Sequence, residues 1–244
     1  MRLKGRAIDG IELVDLALYL KEEHILVMAD LHIGIEEELL KNGVLIPKFH
    51  FRDLVKRVEG IFEKLAEKKL PVDLVVINGD LKHEFGTISD EEWRNTLKLL
   101  DYLIRKGGKV VLVKGNHDKT LGPIADKRGV LLVDQFIVGD KIILHGDKMI
   151  ELPASIKTII IGHDHPAISL NEDMRKETYK CFMVGKYRRK NLIVQPSMNP
   201  LTEGADILER IYLSPFLKQK TTDFEVYIVA DKVYDFGKLK KLAQ

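Results

Sequence analysis

Cysteine is almost absent. Cys181 stands alone among 244 residues, which excludes an intramolecular disulfide framework and any cysteine-based zinc site. No run of about 18 apolar residues occurs, and the amino end, MRLKGRAIDG, lacks the apolar stretch of a secretory leader. The expected location is therefore the reducing cytoplasm, with no membrane partner. An excess of either charge is also missing. Lys plus Arg number 39 against 37 Asp plus Glu, a formal net charge of +2, so a polybasic nucleic-acid arm and an acidic tail are both excluded; a local basic groove remains compatible with that balance. No internal repeat, low-complexity tract or Pro/Ser-rich linker interrupts the chain. With 45% hydrophobic residues there is enough apolar material for a sizeable core, and the expectation is one domain over residues 1–244.

What is present is an alternation of short apolar runs and amphipathic stretches. HILVMAD (24–30), VDLVVINGD (72–80) and KVVLVKGNHD (109–118) each read as a buried strand that halts at a polar tip. Between them, residues 36–42 and 49–68 carry helical spacing, with Phe51, Leu54, Val55, Val58, Ile61, Phe62 and Leu65 on one face. Residues 89–106 form another amphipathic helix, with Ser89 as its N-cap and Gly107-Gly108 closing it. Strand and helix alternating in this order predict parallel pairing with crossovers. The second half is richer in hairpins: around Gly139-Asp140, around the basic turn Lys186–Lys190, and around Ala230-Asp231. IKTIIIGHDHP (156–166) is a further apolar strand with a polar tip. The predicted class is α/β, two packed mixed β-sheets flanked by helices.

Five strand ends share one design, in which an apolar run, followed in four of them by a Gly or Ala, delivers metal-competent side chains. They are Asp30-Leu31-His32, Gly79-Asp80, Gly115-Asn116-His117-Asp118, His145-Gly146-Asp147 and Gly162-His163-Asp164-His165. Imidazole and carboxylate without thiolate suit Mn, Fe, Zn or Co. Strands of one sheet bring their carboxyl ends to one edge, where open α/β sheets hold their ligands. Two carboxylates, an amide oxygen and four histidines suit two adjacent cations sharing a carboxylate. A lone Asp-x-His or Gly-Asp is uninformative, but all five strings in order, each closing an apolar run, are specific.

In that order and spacing, residues 30 to 165 resemble the calcineurin-like metallophosphoesterases, with no departure at a ligand position. The resemblance implies that Asp30, His32 and His165 hold one metal, that Asn116, His145 and His163 hold the other, and that Asp80 bridges them. It implies two divalent ions, Mn first, with Ni, Co, Fe or Zn as alternatives. His117 would stand beside the phosphate as cation or general acid. Asp118 and Asp164 would support the ligands through hydrogen bonds. GDLKHEFG and PSMNPLTEG look like the prokaryotic ICC-like or DNA-ligase-associated branch. His83 occupies a position where phosphatase branches carry Asp, and it is similar to the Gly-Asp-Leu-Phe-His string of the double-strand-break repair nuclease. That similarity implies a second catalytic histidine and a phosphodiester or nucleic-acid substrate. A phosphomonoesterase acting on a metabolite or phosphoprotein is the rival reading, and a non-catalytic binding scaffold a remote one. Lys186–Lys190 is read as a solvated hairpin tip, Trp93 as packing, and His24 and His50 carry no assigned role.

Overall fold

A computed structural model of the chain describes residues 10–45, 49–83, 88–172 and 175–242. The amino-terminal stretch read for a leader and the end of the GDLKHEFG string, from Glu84, lie outside the described residues. Two mixed sheets face each other. The first has six strands in order: β1 (Ile11–Val14), β2 (Ala17–Leu20), β3 (Ile25–Ala29), β4 (Leu74–Asn78), β5 (Lys109–Val113) and β6 (Leu131–Val133). β1, β2 and β3 pair antiparallel, whereas β3, β4, β5 and β6 run parallel. Helices α1 (Ile35–Lys41), α2 (His50–Glu67), α3 (Asp90–Gly107) and α4 (Gly122–Arg128) lie between these strands in the chain.

The second sheet is built from β7 (Gln135–Val138), β8 (Lys141–Leu144), β9 (Thr158–Ile161), β10 (Pro166–Glu172), β11 (Arg175–Tyr187), β12 (Lys190–Val194), β13 (Ala205–Asp206), β14 (Glu225–Val229) and β15 (Val233–Lys238). Its strands explain why the sequence shows unbroken apolar runs there. In β9, Ile160 joins the core between the sheets, while Ile159 and Ile161 join a second core on the far face. Ile193 against Leu192 and Val194, and Phe182 against Cys181 and Met183, repeat the division. A strand buried on both faces has no polar side to display.

The helical cover is uneven. Leu54, Val58, Ile61 and Leu65 of α2, with Leu99, Leu100 and Leu103 of α3, belong to the core of the first sheet. The far face of the second sheet is covered by Ile207, Tyr212 and the single 3-10 turns carrying Phe216, Leu217 and Leu239. Ser89 caps α3 as expected, accepting from the Glu92 amide at 3.0 Å, and Gly108 closes it with φ of 72°. Trp93 packs partly buried against the core. The turn between β11 and β12 is made by Arg188 and Arg189, both at positive φ; Arg188 lies over the Tyr187 ring.

For the site, one consequence of this topology matters most. Parallel β3, β4 and β5 end side by side, and parallel β8 and β9 end together in the other sheet. All five polar strings therefore emerge where the carboxyl edges of the two sheets meet.

Candidate metal centre

The strings converge because glycine leaves room for them. A β-carbon on Gly79 would lie 2.0 Å from Nδ1 of His145, one on Gly115 would lie 2.0 Å from Oδ1 of Asp80, and one on Gly162 would lie 2.6 Å from Oδ2 of Asp30. Each glycine thus makes space for a ligand from a different string. Asp30, His32, Asp80, His163 and His165 all adopt left-handed backbone, with φ of 54°, 46°, 41°, 71° and 46°. Such a conformation costs a non-glycine residue on the order of 1 kcal/mol, and strain of this kind gathers where function over-determines the backbone.

The side chains form two groups that share Asp80. In the first, Nε2 of His32 lies 3.2 Å from Nε2 of His165 and 3.7 Å from Oδ2 of Asp80, and His165 stands 3.6 Å from Oδ2 of Asp30. In the second, Nε2 of His145 lies 2.8 Å from Oδ1 of Asn116, 3.1 Å from Nδ1 of His163 and 3.4 Å from the same Asp80 oxygen. Donor atoms about 2.1 Å from a common cation stand roughly 3.0–3.4 Å apart, and the observed separations of 2.8 to 3.7 Å bracket that spacing. Asp30 and His145 are buried, and Oδ1 of the one and Nδ1 of the other stand 3.4 Å apart with no hydrogen-bond partner among the described residues. Ring nitrogens pointing at one another around two carboxylates fit divalent cations of the Mn, Fe, Zn and Co type.

Electrostatics follow from this crowding. Burial, and then the charge of His165, push His32 down to about 3. His145 is driven up to about 9: burial opposes the shift, but the hydrogen bond to Asp80 and the charge of Asp30 outweigh it. Burial would raise Asp30 and Asp80, yet His165 and His145 respectively hold both below the ordinary carboxylate range.

His117 and His83 stand beside the first group. The Nδ1–H of His117 donates to the carbonyl oxygen of His83 at 2.6 Å, so Nε2 is left facing the cleft, 3.9 Å from Oδ2 of Asp80. The two imidazoles stack, with centroids 5.2 Å apart and planes at 26°. Both ring nitrogens of His83 are engaged, Nδ1 with Nδ1 of His32 at 3.1 Å and Nε2 with Glu38 at 2.6 Å. A contact from His83 to a phosphate oxygen would require one of these to break. Together His32, Asp80, Asn116, His117, His163 and Thr202 line an open cleft of about 440 Å³.

Asp118 and Asp164 bind backbone rather than ligand rings. Asp118 accepts from the amides of Gly115, Leu81 and Lys82, and burial, followed by the charge of Asp80, pushes it up to about 6. Asp164 accepts from the amides of Leu213 and Ser214. Several contributing residues have no assigned role in the sequence, although Lys82 and Ser197 lie in the GDLKHEFG and PSMNPLTEG strings. Buried Lys82 donates to the carbonyl oxygen of His117 at 2.7 Å, and Glu92 accepts from the amide of His83 at 2.9 Å. Ser197 donates to the carbonyl of Asp30 at 2.7 Å. His50 is buried and meets Oδ1 of Asn199 at 2.9 Å, fastening α2 to the PSMNPLTEG loop. His24 pairs with Asp73 at the surface.

The family model of the calcineurin-like phosphoesterases matches residues 23–149, just over half of the chain. The chain belongs to this family of metal-dependent hydrolases of phosphate esters. A search of curated proteins returns no match. Among solved structures, the nuclease MPE of Pseudomonas putida superposes with a TM-score of 0.63 at 20% identity, covering 92% of this chain and 93% of that one. A protein of unknown function from Aquifex aeolicus, AQ665, gives 0.36 at 18% identity over 61% of this chain and 81% of that one. Zinc-complexed Vps29 of Entamoeba histolytica gives 0.37 at 15% identity over 87% and 99%. The first of these establishes the shared fold.

Two predictions follow from the geometry. Gly115→Ala forces its new carbon onto Asp80, so divalent-cation binding should weaken by about tenfold or more, while thermal unfolding of the metal-free protein stays cooperative; unchanged binding by titration calorimetry contradicts the close approach. His145, raised above its unfolded value of about 6.5, stabilises the metal-free fold below that pH and loses this contribution as pH rises through about 9. A cation displaces its proton. Metal binding at pH 7.5 should therefore release protons, and the release should fade above pH 9. Heats of binding that do not depend on the buffer's ionisation enthalpy at pH 7.5 contradict it.

Proposed function

We propose that the chain, folded as one domain over residues 1–244, is a cytoplasmic two-metal phosphodiesterase of nuclease or nucleotide-phosphodiesterase type, within the ICC-like or DNA-ligase-associated branch. Asp30, His32 and His165 hold one cation, Asn116, His145 and His163 the other, and Asp80 both. Manganese is the first choice of ion. When bound, two such ions polarise a phosphoryl oxygen and lower the pKa of a water enough to supply hydroxide near neutral pH. The protein's own part is to place the groups around them. The carbonyl of His83 keeps the proton of His117 on Nδ1, and Lys82 fixes the carbonyl of His117 itself. Nε2 of His117 is thereby presented to the cleft, where it stabilises charge or protonates a leaving oxygen.

The observation that supports a diester is the composition of the cleft wall. Among the described residues it contains no Lys or Arg, only the ligand strings, His117, Thr202, Gly204, Ala205 and Leu213. A diester carries two organic arms, and an open cleft with the small residues Gly204 and Ala205 in its wall has room for both. The shared fold with a protein named a nuclease points the same way. The arginines of the β11–β12 turn are not among the lining residues, so backbone contacts to a long nucleic acid are not what carries this reading.

Methyl p-nitrophenyl phosphate and p-nitrophenyl phosphate share a leaving group and separate the readings. With Mn the diester should show a kcat/KM at least about tenfold higher, roughly 1.4 kcal/mol of transition-state preference, and single-stranded DNA should be cut. A monoester preference would instead establish the phosphomonoesterase.

A further inference from the structure

Glu38 lies in none of the five strings, yet it is connected to the metal centre through two imidazoles. Its Oε2 stands 2.6 Å from Nε2 of His83, and Nδ1 of His83 stands 3.1 Å from Nδ1 of His32. The hydrogen-bond chemistry orders this chain in one direction. A carboxylate only accepts, so Nε2 of His83 carries a hydrogen. The neutral ring then has Nδ1 as its acceptor. Nδ1 of His32 must accordingly donate, which leaves its Nε2 lone pair facing His165 and Asp80.

We infer that Glu38 is a positioning residue for the metal ligand His32, acting through His83 as an intermediate imidazole. The inference rests on the two-metal reading and deepens it. A ligating histidine commonly donates its second N–H to a carboxylate or carbonyl, which fixes the tautomer and strengthens the ligand. Here an extra imidazole spans the gap, so the carboxylate can sit on a separate helix.

The scaffold around the chain is independently fastened. The amide of His83 is held by Oε1 of Glu92 and the carbonyl of Ile33, both at 2.9 Å. The neighbour of Glu38, Glu37, accepts from the hydroxyl of Ser89 at 2.6 Å, and Ser89 caps α3. That bond ties α1 to the start of α3. A β-carbon on Gly34 would come within 2.8 Å of the Glu92 side chain, so α1 begins directly against the residue that holds His83. The side chain of Glu38 is 47% exposed while that of His83 is 15% exposed, so Glu38 can be replaced without opening the core.

This geometry gives His83 a different task from direct substrate contact. Its ring relays a carboxylate to His32, its carbonyl orients His117, and its face stacks on His117. An aspartate at position 83 could not serve as the relay, because a carboxylate has no N–H to pass to Glu38 and would face it as a like charge.

The test is Mn binding by titration calorimetry on the full chain, comparing the parent with Glu38→Ala and Glu38→Gln. Glu38→Ala should weaken one of two Mn ions about tenfold and leave the other within about twofold. Glu38→Gln keeps an acceptor oxygen for His83 and should restore most of the loss. Long-range nitrogen–proton NMR of the zinc-loaded protein supplies a second readout: His32 should be Nδ1-protonated in the parent, and that signal should broaden or shift in Glu38→Ala. Two tight Mn ions in the parent with unchanged affinity and unchanged His32 signals in Glu38→Ala overturn the relay and spare the two-metal reading. Fewer than two Mn ions in the parent overturn both.

Discussion

The structure depends on a packing constraint: seven donor side chains from two different sheets must reach one small volume, and three positions on the way have no room for a β-carbon. Gly79 yields to His145, Gly115 to Asp80 and Gly162 to Asp30. The constraint accounts for the glycine beside the ligand position in three of the five strings, which supply both a polar side chain and the space for another string's. It also accounts for the left-handed backbone at five of the seven donors. A strand that must turn sharply and still aim a side chain back along the sheet edge has few other conformations available.

Holding that volume together requires the surrounding polar residues. Asp118 gathers the amides of two loops, and Asp164 those of a third segment. Ser197, reached by a long excursion through the second sheet, returns to the carbonyl of Asp30. Buried Gln195 donates to the carbonyl of Val27 at 3.2 Å and pairs with Asn78, joining the sheets just beneath the site. Two buried carboxylates among four imidazoles are far from neutral in their effects. His32 is driven down and His145 up.

Much of this was legible in the sequence, for identifiable reasons. Strands β3, β4, β5, β8 and β9 announced themselves because burial on both faces makes continuous apolar runs, and the polar residue ending each run marks the sheet edge. α2 and α3 were legible from their apolar stripes and, for α3, from Ser89 and Gly108. The hairpin β1–β2 was not, since four-residue strands joined by Asp15 in a left-handed turn carry little periodicity. α4, seven residues opening on Gly-Pro, is too short to show a face. The residues around the donors were hidden for another reason. Glu38, Glu92 and His50 are solitary polar residues and Lys82 is a position within its string with no role of its own there; their partners lie 9 to 149 positions away, and only the tertiary fold gives them a task. His83 is marked by its position in a string, but its hydrogen-bond partners, Glu38 and His32, lie outside that string.

In the proposed two-metal site one carboxylate, Asp80, serves two cations at once. Electron paramagnetic resonance of the Mn-loaded protein tests it directly, because two Mn(II) ions bridged by a carboxylate are exchange-coupled. As the second equivalent is added, the signal of an isolated ion should give way to a coupled spectrum with more closely spaced hyperfine lines, and Asp80→Asn should abolish the coupling. A fully loaded protein showing only isolated-ion signals would contradict it.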